Sequence, residues 1–288
     1  MVLTLDAGAT NIKVALFDTK DTPKIVEQAV VPTNADKGFE EICISLKKAI
    51  GAFVGKASAV AIASAGDVDR DTGVITYATG NLPGMTGFDY KKFVWENFHL
   101  PATAINDAHA ALLGEVRYGV GNMGKRVVML TLGSGVGGGY CVDGKICATE
   151  ENDFARFGHI CLEQNGRHCN CGKDGCVECY LSGRALHKDA LLQGVDGADL
   201  FAKFAQNSVP HVRFVQNFRN NFQLALEKIN EKSPFDVCIV GGGVVDWIGD
   251  NFNAVFDGIN KQIVRAALGN LAGVYGALAH FCDKGVVL

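Results

Sequence analysis

The sequence predicts an α/β fold of duplicated domains around a central cleft. Three observations carry that prediction. Two strand-like runs near the N terminus flank a polar, glycine-bearing turn, the same pattern restarts near residue 126, and a third buried run ends in three consecutive glycines.

In order, residues 2–5 and 11–17 read as strands joined by Asp6-Ala7-Gly8-Ala9-Thr10, a hairpin with a carboxylate at its mouth. Strand-like runs follow at 25–31, 59–63 and 73–77, with an amphipathic helix over 39–53 and another helix over 107–118. A second hairpin is predicted from 126–132 and 135–142 around Gly133-Ser134-Gly135-Val136-Gly137-Gly138-Gly139, and a third strand over 237–240 ends in Gly241-Gly242-Gly243. Helices are predicted over 178–192, 199–204, 212–232, 246–264 and 271–281. The first lobe is expected over 1–118 and the second, with a metal-binding loop, over 119–270.

Composition narrows the function classes. The chain has 288 residues, 48% of them apolar, with a formal charge of −4 and Lys and Arg scattered without blocks, which argues against a nucleic-acid partner. No apolar run is long enough to cross a bilayer, so no membrane partner is expected. Met1 runs straight into a short apolar segment ending at Asp6 with no export signal, so a cytoplasmic location and reduced thiols are expected.

The most specific local signal runs from His159 to Glu178. Cys169, Cys171 and Cys176 stand at C-x-C-x₄-C spacing beyond His159, and thiolates with imidazole are the ligands Zn²⁺ prefers. Gly172 and Gly175 let the loop fold back, and four protein ligands leave no open position, so the expected zinc is structural. The alternatives are buried free cysteines or a disulfide, with Cys161 and Cys179 as extra thiols, and His168 is a second candidate for the fourth ligand.

Glycine turns between strands expose backbone N–H groups that can face phosphates. A lone turn is a weak signal, but three in order suggest a nucleotide whose Mg²⁺ lies near a carboxylate, Asp6 being the obvious candidate. None fits a P-loop or a dinucleotide fingerprint.

With these motifs in hand the chain resembles, over essentially its whole length, the ROK sugar kinases of the actin-like ATPase (ribonuclease H-like) superfamily. The resemblance rests on Asp6-Ala7-Gly8-Ala9-Thr10 with Lys13 following, Asn81-Leu82-Pro83-Gly84, Asn106-Asp107, Gly133-Ser134-Gly135-Val136-Gly137-Gly138 and Phe157-Gly158-His159. It continues through the cysteine cluster ending at Glu178, Gly241-Gly242-Gly243 and Ala272-Gly273-Val274-Tyr275-Gly276-Ala277. It implies transfer of the γ-phosphoryl group of ATP to a hydroxyl, the 6-hydroxyl by default, of a free hexose or N-acetylhexosamine, with glucose as the default substrate. It also implies a homodimer and a C-terminal helix, within 271–288, packed back on the first lobe.

Asp107 matches the catalytic base, whose bland role is a helix cap; the two roles can coexist. Asn81, Asn106, Asp107, His159 and Glu178 match sugar-contacting positions, His159 serving zinc and sugar with different ring nitrogens. Gly8, Thr10, Lys13, Gly133, Ser134, Gly135, Gly137 and Gly241 to Gly243 match, with Asp6, the ATP and Mg²⁺ site.

One departure stands out. The family places glutamate two residues before Gly-His, and this chain has Arg156. The bland expectation pairs Arg156 with Glu150, Glu151 or Asp153; the sharper one has it read an anionic sugar. The rival function is a non-catalytic or altered-specificity sugar-binding protein of the same fold. A DNA-binding relative is disfavoured because the first phosphate turn begins at Asp6.

Overall fold

The computed structural model describes residues 1–121, 124–147, 156–195 and 200–285. Contacts divide the chain into two compact units, Met1–Gly121 with Asn270–Leu288, and Asn122–Gly269.

The first unit opens with strands β1 (Val2–Ala7), β2 (Asn11–Asp18) and β3 (Lys24–Pro32), followed by helix α1 (Phe39–Gly51) and strand β4 (Ala59–Ser64). A small two-stranded ladder, β5 (Asp67–Val68) and β6 (Ile75–Tyr77), precedes helix α2 (Tyr90–Phe98), strand β7 (Ala102–Asn106) and helix α3 (Asp107–Tyr118). The second unit holds β8 (Arg126–Leu132), β9 (Val136–Val142), β10 (Lys145–Ile146), α4 (Glu178–Leu181), α5 (Gly183–Leu192), α6 (Leu200–Ala205) and α7 (Val209–Lys232). It ends in β11 (Val237–Gly241), α8 (Gly243–Ile248), α9 (Phe252–Phe256) and β12 (Gln262–Arg265), after which α10 (Ala272–Asp283) returns to the first unit.

The two units share one construction. The first sheet runs β3-β2-β1-β4-β7 and the second β10-β9-β8-β11-β12, each an antiparallel meander continued by parallel strands. Parallel strands covered on both faces must be apolar throughout, and all six residues of β4 and all five of β11 are buried. In the first unit α10 packs against α3 and lies on β1 and β4, with α1 among the core elements at Ile42, Leu46 and Ile50. Among the described residues no helix is long and apolar enough to cross a membrane.

Three expectations need correction. The helix predicted over 246–264 is α8, a 3₁₀ turn and α9, followed by strand β12. Gly249 and Gly258 adopt φ of +58° and +80°, which ends each helix, while Ile263 and Val264 pair in parallel with Cys238 and Ile239. The helix predicted over 178–192 breaks at Ser182, which is extended and caps α5 by accepting from the Ala185 N–H at 3.2 Å. The strand predicted over 73–77 shrinks to β6, since Gly73 turns at φ +80°. The second predicted hairpin is β8 and β9, with Gly137, Gly138 and Gly139 in β9 opposite Thr131, Leu130 and Met129, as the expected strand over 135–142 requires. Helix α2 and strands β7 and β12 have no counterpart among the predicted elements.

Candidate active site

In the first unit, β1 runs through Asp6, which stands between Lys13 on β2 and Ala63 on β4. Lys13 Nζ donates to Asp6 Oδ2 at 3.1 Å. The turn beyond it is held from two sides. Gly8 N–H donates to the Asn11 carbonyl at 3.1 Å, and buried Thr33 donates its hydroxyl to the Gly8 carbonyl at 2.6 Å and its N–H to the Thr10 carbonyl at 2.9 Å. Thr10 itself is exposed. Gly273, second residue of α10, lets the helix approach the carboxylate: a Cβ there would lie 2.7 Å from Asp6 Cγ.

Asn106 and Asp107 mark the junction from β7 to α3. Asn106 is the N-cap, its Oδ1 accepting from the Ala108 and His109 N–H groups at 3.0 Å each. Its Nδ2 donates to the Gly66 carbonyl at 2.8 Å and to Asp107 Oδ1 at 3.0 Å. Asp107 Oδ1 also accepts from the Ala108 N–H at 2.8 Å. The helix cap is therefore carried mainly by Asn106. Burial, and then the charge of Asp6, push the Asp107 carboxyl up to about 7, against the backbone and Asn106 bonds that favour its ionised form. A carboxyl whose affinity for protons sits near neutrality is suited to taking one from a hydroxyl. Asn81 is exposed on the turn that follows β6, where Leu82 N–H bonds to the Thr79 carbonyl at 2.9 Å.

In the second unit, the β8–β9 turn is three residues long. Gly133 N–H donates to the Gly135 carbonyl at 2.9 Å, and the Gly183 N–H at the start of α5 donates to the Gly133 carbonyl at 2.7 Å. Ser134 is exposed, and its carbonyl accepts from Arg184 Nε at 2.6 Å. Glu178, first residue of α4, comes against this turn: its Oε2 accepts from the Val136 N–H at 3.0 Å and would lie 2.5 Å from a Cβ on Gly135. Gly241 closes β11, and Gly242, at φ +94°, is pressed against β8, where a Cβ would lie 2.6 Å from the Leu132 carbonyl oxygen; Gly243 then opens α8.

The cysteine loop brings four donors together. One ligand atom each from His159, Cys169, Cys171 and Cys176 lies within 4.8 Å of the others. Cys171 and Cys176 Sγ are 3.5 Å apart, and Cys169 Sγ is 3.7 Å from His159 Nδ1. A zinc ion at about 2.3 Å from sulfur spans tetrahedral edges of about 3.8 Å, so these separations suit an ion at the centre. His168 takes no part, its Nδ1 lying 2.9 Å from Asp174 Oδ1 on an exposed edge. Burial lowers the His159 pKa, the Glu178 carboxylate opposes this, and the Arg156 guanidinium adds to the lowering, so the net shift favours the neutral imidazole a metal requires. Arg156 is exposed just before the 3₁₀ turn Phe157–His159; its expected partners Glu150, Glu151 and Asp153 lie outside the described residues.

Residue-type reasoning passed over the supports: Thr33, Gly66, Gly273 and Arg184 hold the first turn, Asn106, Asp6 and the second turn respectively. Gly66 and Gly273 lay in runs that match the family, whereas Thr33 and Arg184 did not, since a hydroxyl or a guanidinium aimed at a distant carbonyl leaves no local pattern.

Comparison with known proteins adds the last observation. The ROK family matches residues 2–284. The chain is 30% identical over 315 residues to a glucokinase of Halalkalibacterium halodurans, covering 94% of this chain and 92% of that one. It is 30% identical over 244 residues to an N-acetylmannosamine kinase of Citrobacter koseri, covering 84% and 83%. A ROK family glucokinase from Streptomyces griseus, solved in complex with glucose and AMPPNP, superposes with a TM-score of 0.73 at 28% identity over 96% of this chain and 97% of that one.

Proposed function

Since the chain belongs to the ROK family and is an ATP-dependent sugar kinase, we propose that Asp107 is its catalytic base and that glucose or a related neutral hexose or N-acetylhexosamine is its acceptor. The observation that carries this reading is the Asp107 carboxyl: it opens α3, its Oδ1 is occupied by Ala108 and Asn106, and its proton affinity is raised to about 7. Oδ2 is then the oxygen that accepts the proton of the sugar hydroxyl as that oxygen attacks the γ-phosphorus.

Asn81, Asn106, His159 and Glu178 are the proposed partners of the other hydroxyls. Glu178 spends Oε2 on the Val136 N–H and keeps Oε1 for the sugar. His159 has Nδ1 on the metal side and keeps Nε2. The phosphates are assigned to the backbone of Gly8 and Thr10, of Gly133 to Gly135 with Gly137, and of Gly241 to Gly243, together with Lys13 and the Ser134 hydroxyl. Mg²⁺ bound with ATP would neutralise phosphate charge, and Asp6 is the carboxylate assigned to it.

The His159, Cys169, Cys171 and Cys176 set fits Zn²⁺ by donor chemistry and spacing, and zinc held there supplies a rigid four-ligand anchor with no open position. We assign the protein to the cytoplasm and to homodimers on the habit of the family.

The test is ADP release from ATP·Mg²⁺ across neutral hexoses, N-acetylhexosamines and sugar acids, with Asp107→Asn as the blank. Turnover on a neutral sugar that vanishes in the blank supports the assignment. Turnover on sugar acids alone makes Arg156 the determinant of substrate and overturns the neutral acceptor. A folded protein that binds sugar and never consumes ATP returns the non-catalytic reading. Within the same panel Arg156→Glu is expected to raise kcat/KM for the neutral sugar by roughly tenfold, the worth of one charge-assisted hydrogen bond to a sugar hydroxyl. A fall of that size instead would place the guanidinium on the substrate.

A further inference from the structure

The cysteine loop holds one donor more than a tetrahedral ion takes. Cys176-Val177-Glu178-Cys179 has C-x₂-C spacing, and with Cys169 and Cys171 it makes a run of four cysteines in eleven residues, the spacing of all-cysteine zinc sites as well as of three-cysteine, one-histidine ones. The fourth cysteine is at hand in space. Cys179 N–H donates to the Cys176 carbonyl at 2.9 Å, closing the turn between them. Its Sγ is 3.5 Å from the carbonyl of His168, the residue next to Cys169, and lies within electrostatic reach of the Cys169 thiol. The thiol is half-buried and in no disulfide. Cys161, the other extra thiol, is exposed, and its backbone pairs with that of Cys176 as a β-bridge.

The five donors differ in how they are tethered. Cys169, Cys171, Cys176 and Cys179 belong to one compact segment, whereas His159 reaches it from the end of a single 3₁₀ turn following exposed Arg156. We propose that Cys179 is a reserve metal ligand: when His159 leaves, Cys179 joins Cys169, Cys171 and Cys176 in a four-thiolate set that keeps the ion bound. This rests on the metal assignment made above. In the exchange the bond from the metal to the imidazole nitrogen breaks, a bond to sulfur forms, the Cys179 thiol gives up its proton to solvent, and no electron is transferred. The histidine that serves the sugar is thereby uncoupled from retention of the metal, and Glu178, held between Cys176 and Cys179, moves with the ligand change.

The full-length protein loaded with Co²⁺ tests this, because thiolate-to-cobalt absorption grows with the number of coordinating sulfurs. Wild type is expected to show three-thiolate intensity, and Cys179→Ser the same. His159→Ala is expected to keep one Co²⁺ per chain with absorption about one third stronger, four sulfurs replacing three, and the double variant to lose the ion or that increment. His159→Phe, which keeps a ring in place, repeats the test should the alanine variant fold poorly by circular dichroism. Mass spectrometry after iodoacetamide treatment of the Zn²⁺-loaded protein should find Cys179 alkylated in wild type and protected when His159 is replaced. If wild type binds Co²⁺ but both His159 variants lose it, or keep only three-thiolate intensity with Cys179 still alkylated, the reserve ligand is refuted while the metal site stands. A wild-type chain that takes up neither Co²⁺ nor Zn²⁺ overturns both.

Discussion

Asp107→Asn is expected to fold, to bind sugar with little change in KM and to lose about 10²- to 10⁴-fold in kcat, the usual worth of a general base. The amide keeps an oxygen for the Ala108 N–H, and Asn106 carries the rest of the cap, so the start of α3 survives. Only the ability to accept a proton is removed. The wild-type enzyme should show kcat/KM rising about tenfold per pH unit up to about 7 and level above it, because the base must first lose its own proton. The same raised affinity has a consequence for stability, with a definite sign. The folded state holds a proton up to about 7 that the unfolded chain releases near the ordinary carboxylate value, so the contribution of Asp107 to stability is full at low pH and is lost as the pH rises through that window. Asp107→Asn should therefore melt at or above the wild-type temperature at pH 8, and the difference should vanish by about pH 4. An asparagine variant with near-native turnover would reduce Asp107 to a capping residue.

Gly276→Ala is expected to be the most damaging single methyl group in the first unit. Helices α10 and α3 cross at small residues: a Cβ on Gly276 would lie 1.6 Å from the Ala110 carbonyl oxygen, and one on Gly114 would lie 2.4 Å from the Ala272 carbonyl oxygen. Both obstacles are backbone, so no rotamer change relieves them and the helices must part. Alanine is intrinsically a better helix former by about 1 kcal/mol, yet overpacking of a tight contact costs about 1–3 kcal/mol and more when backbone must move. Since α10 also lies on β1, the strand bearing Asp6, the loss should appear as a lower Tm, by roughly 2–4 °C per kcal/mol, together with weaker catalysis. Gly55→Ala, whose Cβ would meet nothing within 4 Å, is the matched control and should stay within about 0.5 kcal/mol of wild type. Equal urea midpoints for the two variants would mean that the crossing has slack.

Much of this was legible without coordinates wherever the signal is local. Helix α3 follows from an Asn-Asp cap opening an apolar run, β8 from a short β-branched run bounded by glycine, and the cluster of His159 with three cysteines from ligand type and spacing. The misreadings also have a common cause. Residues 246–264 carry helical periodicity in composition, but two left-handed glycines and a vacant place beside β11 turn their last part into a parallel strand. Residues 102–106 look like an ordinary apolar run, and only pairing with β4 makes them the strand that ends on Asn106.

The sequence by itself determined the chemistry available to this protein: an α/β chain with glycine turns after strands, a carboxylate at a helix start, a His-Cys set with metal-ligand spacing and an arginine two residues ahead of Gly158-His159. These are properties of residue types and short spacings, which survive in one dimension. Tertiary structure alone decided where those groups sit. It set His159 in the cluster and turned His168 toward Asp174, put Glu178 against the second glycine turn, brought Asp6 near enough to Asp107 to raise its proton affinity, and laid Gly273 over Asp6. Each of those outcomes depends on distance between residues far apart in the chain, and distance, through burial and charge, is what sets the proton affinity of a carboxyl and the ligands of a metal.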